Sequence, residues 1–259
     1  MLFFVVEWYY HGEEGAFIMD IVLYVLLGLL AILVSFILFV VISGLLVNTK
    51  KEYDQHSKFY RFLVNVVTWL TLWCSRVRIH VTGAEKVPKT NVLFVGNHRS
   101  NYDSLVTWQV FKKWNVAYIS KDSNFRIPIC GRLIRRCCFL AIDRENPRNA
   151  IKTINKAAEL IHQENISYGV YPEGTRNKAY TGLLPFHNGV FKIAQKANVP
   201  VVVVAVHGTE KIHKHAPWHH TDVYLDVLDV MDAAFVKENG TAVIGDRVQQ
   251  LLLVHLEDK

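Results

Sequence analysis

The chain has 259 residues, is 51% hydrophobic and carries a formal net charge of +6 at neutral pH. Such an apolar content supports a sizeable core in one large domain or two small ones. The basic balance suits an anionic membrane surface or phosphorylated substrates, and because no nucleic-acid-binding motif accompanies it, it argues against nucleic acid as the partner.

Residues 1–20 carry Glu7, Glu13, Glu14 and Asp20 and no Lys or Arg. From Ile21 to Val47 run 27 residues without a charge, IVLYVLLGLLAILVSFILFVVISGLLV, more than the roughly 20 needed to cross a bilayer. A cleaved secretory signal fits poorly, since no basic region precedes the stretch, it is too long, and no small-residue cleavage site follows. Lys50, Lys51, Lys58 and Arg61 come next, so the positive-inside rule puts 1–20 outside the cytoplasm, 21–47 across the membrane and the remainder on the cytoplasmic face. Cys74, Cys130, Cys137 and Cys138 show no disulfide framework and no CxxC pair, which agrees with a reducing compartment and predicts buried packing roles.

Within 48–75, FYRFLVNVVTWLTLWC (59–74) places Phe59, Leu63, Val66, Leu70 and Trp73 near one helical face. This pattern suits a helix lying in the membrane interface, and its length suits a core helix of the following domain equally well. Residues 76–259 read as one α/β domain. VRIHV (77–81) alternates like a half-exposed strand, while VLFV (92–95), FLAI (139–142), YGVY (168–171) and VVVVAV (201–206) are continuous apolar runs of the kind found in buried parallel strands. Between FLAI and YGVY, Ile151, Ile154, Ala158 and Ile161 recur at helical spacing, giving a βαβ unit, and a further helix at about 188–198 leads into VVVVAV. The predicted architecture is a mostly parallel sheet flanked by helices, preceded by a transmembrane helix and a second membrane-associated helix.

Three polar clusters follow predicted strands: NHRSNYD (97–103) after VLFV, Asp143-Arg144 after FLAI, and PEGTR (172–176) after YGVY. In an open parallel sheet the strand C-termini share one edge, so these clusters should converge there. On a continuous helix His98 and Asp103 would diverge; a turn before the helix lets them meet. A carboxylate on one imidazole nitrogen fixes the tautomer and leaves the other nitrogen free to take a proton, making His98 a candidate general base and Asp103 its orienter. Equally, Asp103 can serve only to cap the helix, with His98 a satisfied loop residue. In EGTR, Gly174 permits close backbone approach, Thr175 offers a hydroxyl and Arg176 a guanidinium suited to phosphate. Arg144 could add a second grip, although singly each arginine reads as a solvated surface charge. No G-x-S-x-G nucleophile motif occurs, so direct attack by a substrate hydroxyl is more natural than an acyl-enzyme.

These segments resemble the PlsC-like acyltransferases, chiefly the 1-acylglycerol-3-phosphate acyltransferases, over about residues 60–210. NHRSNYD is similar to the family's NHx4D block, the segment ending FLAIDR to its second block, YPEGTR to its EGTR block and VPVVVVAV to its fourth. Val203 stands where the fourth block usually has a second proline, and His187 where lysine is common. The resemblance implies transfer of an acyl chain from acyl-CoA or acyl-carrier protein to the hydroxyl of lysophosphatidate, giving phosphatidate. In that reading His98 is the base, Asp103 orients it, Arg176, Arg144 and Lys121 hold the glycerol phosphate, and Glu173 and Gly174 shape the acceptor site. It implies no metal and no cofactor beyond the thioester co-substrate. The histidines of HGTEKIHKHAPWHH (207–220) lack a recognised ligand spacing, so His213, His215, His219 and His220 read as a solvated loop ahead of a metal site. Within the enzyme class the alternative acceptors are glycerol 3-phosphate and other lysophospholipids. Outside it stands a non-catalytic, membrane-anchored lipid-binding protein, which would release no thiol from an acyl carrier.

Overall fold

A computed structural model describes residues 2–143, 146–179 and 182–257, with side chains from residue 17 onward. Two compact units make up the chain, Met1–Asn48 and Thr49–Lys259.

The first unit is one helix, α1 (Leu2–Leu45). Its stretch Phe17–Leu45 has a mean hydropathy of 3.3 and is long and apolar enough to cross a membrane. The helix is continuous across Asp20, so it begins well before the charge-free run. Gly28 does not break it, because flanking leucines and valines sustain the backbone ladder.

The second unit opens with α2 (Lys58–Cys74), capped by the Ser57 hydroxyl accepting from the Tyr60 N–H. There follow β1 (Val77–Thr82), β2 (Leu93–Gly96), α3 (Tyr102–Val110), β3 (Ala117–Lys121), α4 (Cys130–Arg135), β4 (Leu140–Ile142), α5 (Pro147–Glu164) and β5 (Tyr168–Val170). The chain continues with α6 (Lys192–Ala197), β6 (Val201–His207), α7 (Ile212–His215), β7 (Thr221–Met231), α8 (Ala233–Glu238) and α9 (Thr241–Glu257). Among the described residues seven strands form one sheet in the order β1-β7-β6-β2-β5-β3-β4. The run from β6 to β4 is parallel, β7 is antiparallel to β6, and β1 is parallel to β7.

The residues of β6 show why such strands are apolar throughout. Val201, Val203 and Ala205 pack into one core with α5, α6 and α9, while Val202, Val204 and Val206 enter the other with α2 and α3. Both faces are covered, so alternation disappears.

Sequence periodicity assigns no strand to β3 or β7. In β3 (AYISK) the pattern is short and mixed, since only Ala117 and Tyr118 are buried. In β7, Val223, Leu225 and Val227 do alternate with Asp222, Tyr224 and Asp226, a period-2 signal overshadowed by the preceding histidines. Because β3 intervenes, β4 and β5 are not neighbours, and the βαβ unit spans one strand. Burial likewise divides the cysteines: Cys137 and Cys138 are buried, whereas Cys74 and Cys130 are exposed at helix ends.

Helix α2 is two-sided. Arg61, Leu63, Thr68 and Leu72 face the domain, and Phe59, Phe62, Trp69 and Trp73 are exposed, so Phe59 and Trp73 do not share the face of Leu63. The buried Arg61 donates to the carbonyls of Val116 (2.8 Å) and Cys137 (3.1 Å), and its guanidinium lies 5.0 Å from the Trp108 ring centroid. Truncating it strands two buried acceptors, so Arg61→Ala should lower unfolding stability by about 2–4 kcal/mol. Thermal or urea unfolding in detergent would measure this, and an unchanged midpoint would show that Arg61 does not anchor α2.

Candidate active site

The site grows from the end of β2. At Gly96 a Cβ would sit 2.9 Å from the Val204 carbonyl oxygen, so only glycine lets β2 and β6 close here. The buried side chain of Asn97 then brackets the Val206 backbone, donating to its carbonyl and accepting from its N–H, both at 2.8 Å. That clamp fixes where the chain leaves the sheet and delivers His98 to its edge.

His98 Nδ1 lies 2.8 Å from Asp103 Oδ2, and the same oxygen accepts the backbone N–H groups of Arg99 and Ser100 at 2.7 Å each. The Thr209 hydroxyl donates to Oδ1. Asp103 is fully buried, in the first turn of α3, where a carboxylate complements the helix dipole. It therefore both secures the helix entry and holds the imidazole. Because the carboxylate only accepts, Nδ1 carries the proton and Nε2 is left as the ring's acceptor.

One face of the imidazole is covered by Tyr171, with ring centroids 4.4 Å apart and planes 12° from parallel. Tyr171 stacks in turn on Tyr118. Burial raises both phenols well above the usual range, so they are neutral supports. Gly169 makes room, since a Cβ there would come within 2.5 Å of the Tyr118 ring.

The EGTR segment follows β5. Gly174 adopts a left-handed φ of +69°, and its N–H donates to the Tyr171 carbonyl at 2.9 Å. Glu173 is buried and accepts from the N–H groups of His98 (2.7 Å) and Leu184 (2.9 Å). Burial raises its pKa, opposed by those two backbone donors. A third tie runs from the Asn177 N–H to the His98 carbonyl, 2.7 Å. The His98 and EGTR loops are thus locked together across 75 residues of sequence.

Thr175 and Arg176 are exposed on this loop, and Lys121 is exposed at the end of β3, beside β5. Arg144 lies outside the described residues. The residues that periodicity and spacing overlook are Asn97, Tyr171 and Thr209. Thr209 was open to the rule used for the other clusters, since it follows the C-terminus of β6 on the same edge. Among the described residues, His213, His215, His219 and His220 do not form a ligand cluster; His215 pairs with the Thr221 hydroxyl and His220 with Arg76.

A histidine held on a buried carboxylate thus stands at the C-terminal edge of the parallel strands of an α/β sheet, the edge where ligands bind in such folds. The family model described as Acyltransferase matches residues 78–207, and the chain belongs to that family. It is 32% identical over 151 residues to a 1-acyl-sn-glycerol-3-phosphate acyltransferase of Haemophilus influenzae, covering 58% of this chain and 62% of that one. It is 32% identical over 144 residues to the Escherichia coli protein of that name, covering 56% and 58%. The chain thus spans about three-fifths of the length of these curated relatives. The crystal structure of the 1-acyl-sn-glycerophosphate (LPA) acyltransferase PlsC from Thermotoga maritima superposes with a TM-score of 0.64 at 21% identity, covering 85% of this chain and 86% of that one, which shows a shared fold.

Removing the Thr209 hydroxyl withdraws a donor from a buried carboxylate. Thr209→Val should cost about 1.5–3 kcal/mol of stability, and Thr209→Ser should restore most of it. Unfolding midpoints would check this; equal values for Val and Ser would mean the hydroxyl contributes nothing.

Proposed function

We propose that the chain is a membrane-anchored 1-acylglycerol-3-phosphate O-acyltransferase, moving an acyl chain from acyl-CoA or acyl-carrier protein to lysophosphatidate and so making phosphatidate. The observation that carries this reading is the His98–Asp103 bond at the sheet edge, in a chain whose relatives bear that name. His98 Nε2 takes the proton of the acceptor hydroxyl as its oxygen attacks the thioester carbonyl. The new ester C–O bond forms, the C–S bond breaks, and the imidazolium returns its proton to the departing thiolate. Asp103 stabilises the imidazolium between these steps. A thioester is already activated, so the transfer requires no metal. Arg176, with Arg144 and Lys121, holds the acceptor phosphate; Gly174 gives the turn its shape, Thr175 offers a hydroxyl beside Arg176, and Glu173 sets the distance between that loop and the base.

The exposed apolar stretch of α1 and the acidic-before, basic-after flanks support a single-pass anchor at the cell membrane with the site on the cytoplasmic face. On α2 the exposed Phe62, Trp69 and Trp73 suit the interfacial layer, and α2 packs on α3, the helix that carries Asp103.

Measured as thiol release with lysophosphatidate, His98→Ala should lower kcat by about 10²- to 10⁴-fold with the fold intact. Retention of half the activity would remove His98 as base. In the same assay Arg176→Ala should lower kcat/KM by about 10- to 150-fold, while any slow reaction with monoacylglycerol stays nearly unchanged. An equal loss on both acceptors would assign Arg176 to the fold or the donor. Protease applied outside sealed cells should spare residues 75–259; cleavage there would reverse the topology.

A further inference from the structure

On the face of β6 that packs against α9, a second polar cluster stands apart from the catalytic pair. His207 ends β6, Asp226 lies within β7 and His255 lies near the end of α9. One ligand atom from each falls within 4.8 Å of the others. Asp226 Oδ2 is 2.8 Å from His255 Nε2 and 3.9 Å from His207 Nε2, while Oδ1 is occupied by the Thr82 hydroxyl. One carboxylate oxygen therefore faces two imidazoles, with the other held from behind, the arrangement by which a neighbouring hydrogen bond orients a ligating carboxylate.

The ring of His207 is fixed as well. It stacks on Tyr224 at 4.8 Å, and Tyr224 stacks on His80 at the same distance. Side-chain exposures are 13% for His207, 8% for Asp226 and 26% for His255, so the carboxylate is enclosed and the opening lies on the His255 side. Two imidazoles and a carboxylate form a donor set for a borderline divalent metal. Tetrahedral zinc, with bonds of about 2.0–2.1 Å, spaces its ligands about 3.4 Å apart, between the two distances found here.

We propose that His207, Asp226 and His255 bind a zinc ion, with water as the fourth ligand, that pins the C-terminal helix to the sheet. Binding replaces the His255 Nε2–H bond to Asp226 with a metal bond to Nε2, the ring proton moving to Nδ1. The site is structural, and it sits two residues ahead of Thr209, through which a firmer β6 end steadies Asp103. The alternative is a hydrogen-bonded His–Asp–His triad that takes no ion.

The full-length protein in detergent, stripped with chelator, dialysed and titrated with zinc chloride, separates these readings. Calorimetry and metal analysis should give about one zinc per chain with a raised melting temperature. His255→Ala and His207→Gln should each weaken binding by at least about 100-fold and abolish the thermal shift, whereas a His213→Ala/His215→Ala double variant should keep both. His255 is a quarter exposed near a helix end, so its alanine variant keeps the fold, as circular dichroism would verify. Wild-type protein that takes up no zinc overturns the proposal. So does zinc retained after both single substitutions, or lost only in the double variant.

Discussion

The buried carboxylate of Asp103 is the constraint on which the rest of the site depends. An enclosed carboxylate requires donors for its lone pairs, because its desolvation is otherwise costly, and here four donors surround it: the His98 ring, two backbone amides and the Thr209 hydroxyl. Those donors come from the loop after β2 and the turn after β6. Satisfying one charge therefore fixes the imidazole's tautomer, the entry of α3 and the distance between two strand ends together.

A second buried carboxylate repeats the device across the sheet. The Glu173 carboxylate joins the His98 and Leu184 amides, and with the main-chain bond from Asn177 to the His98 carbonyl it references the loop bearing Arg176 to His98. Arg176 is exposed on that loop. The stack of His98 on Tyr171 adds a wall that restricts ring rotation without competing for its protons, since the phenol is buried and neutral.

Helix α2 joins this machinery to its surroundings. Its inward residues are tied down by Arg61, and Asn65 receives the Trp108 indole N–H of α3. Its outward aromatics would be a liability in water, and they are suited to a headgroup layer where an amphipathic ring is at home.

By itself the sequence determined the elements whose signal is local: the charge-free stretch, the strands β2, β5 and β6, which are apolar throughout because both faces are buried, and the polar turns after them; FLAI, read in the same way, forms the edge strand β4 with Ala141 exposed. The His98–Asp103 pairing was legible as one of two readings; in the fold the two groups bond, and the capping reading fails because Asn101 is the N-cap of α3 and Asp103 lies inside its first turn, accepting from the amides of the loop before it. What only tertiary structure decided was pairing at a distance. That β3 separates β4 from β5, that Thr209 reaches Asp103 across 106 positions and that Glu173 holds the His98 amide have no local spacing to betray them. The same holds for His207, Asp226 and His255, which come from two strands and a helix. Contacts of this kind are set by strand order and by the demand that buried charge be paired, and both exist only once the chain has folded.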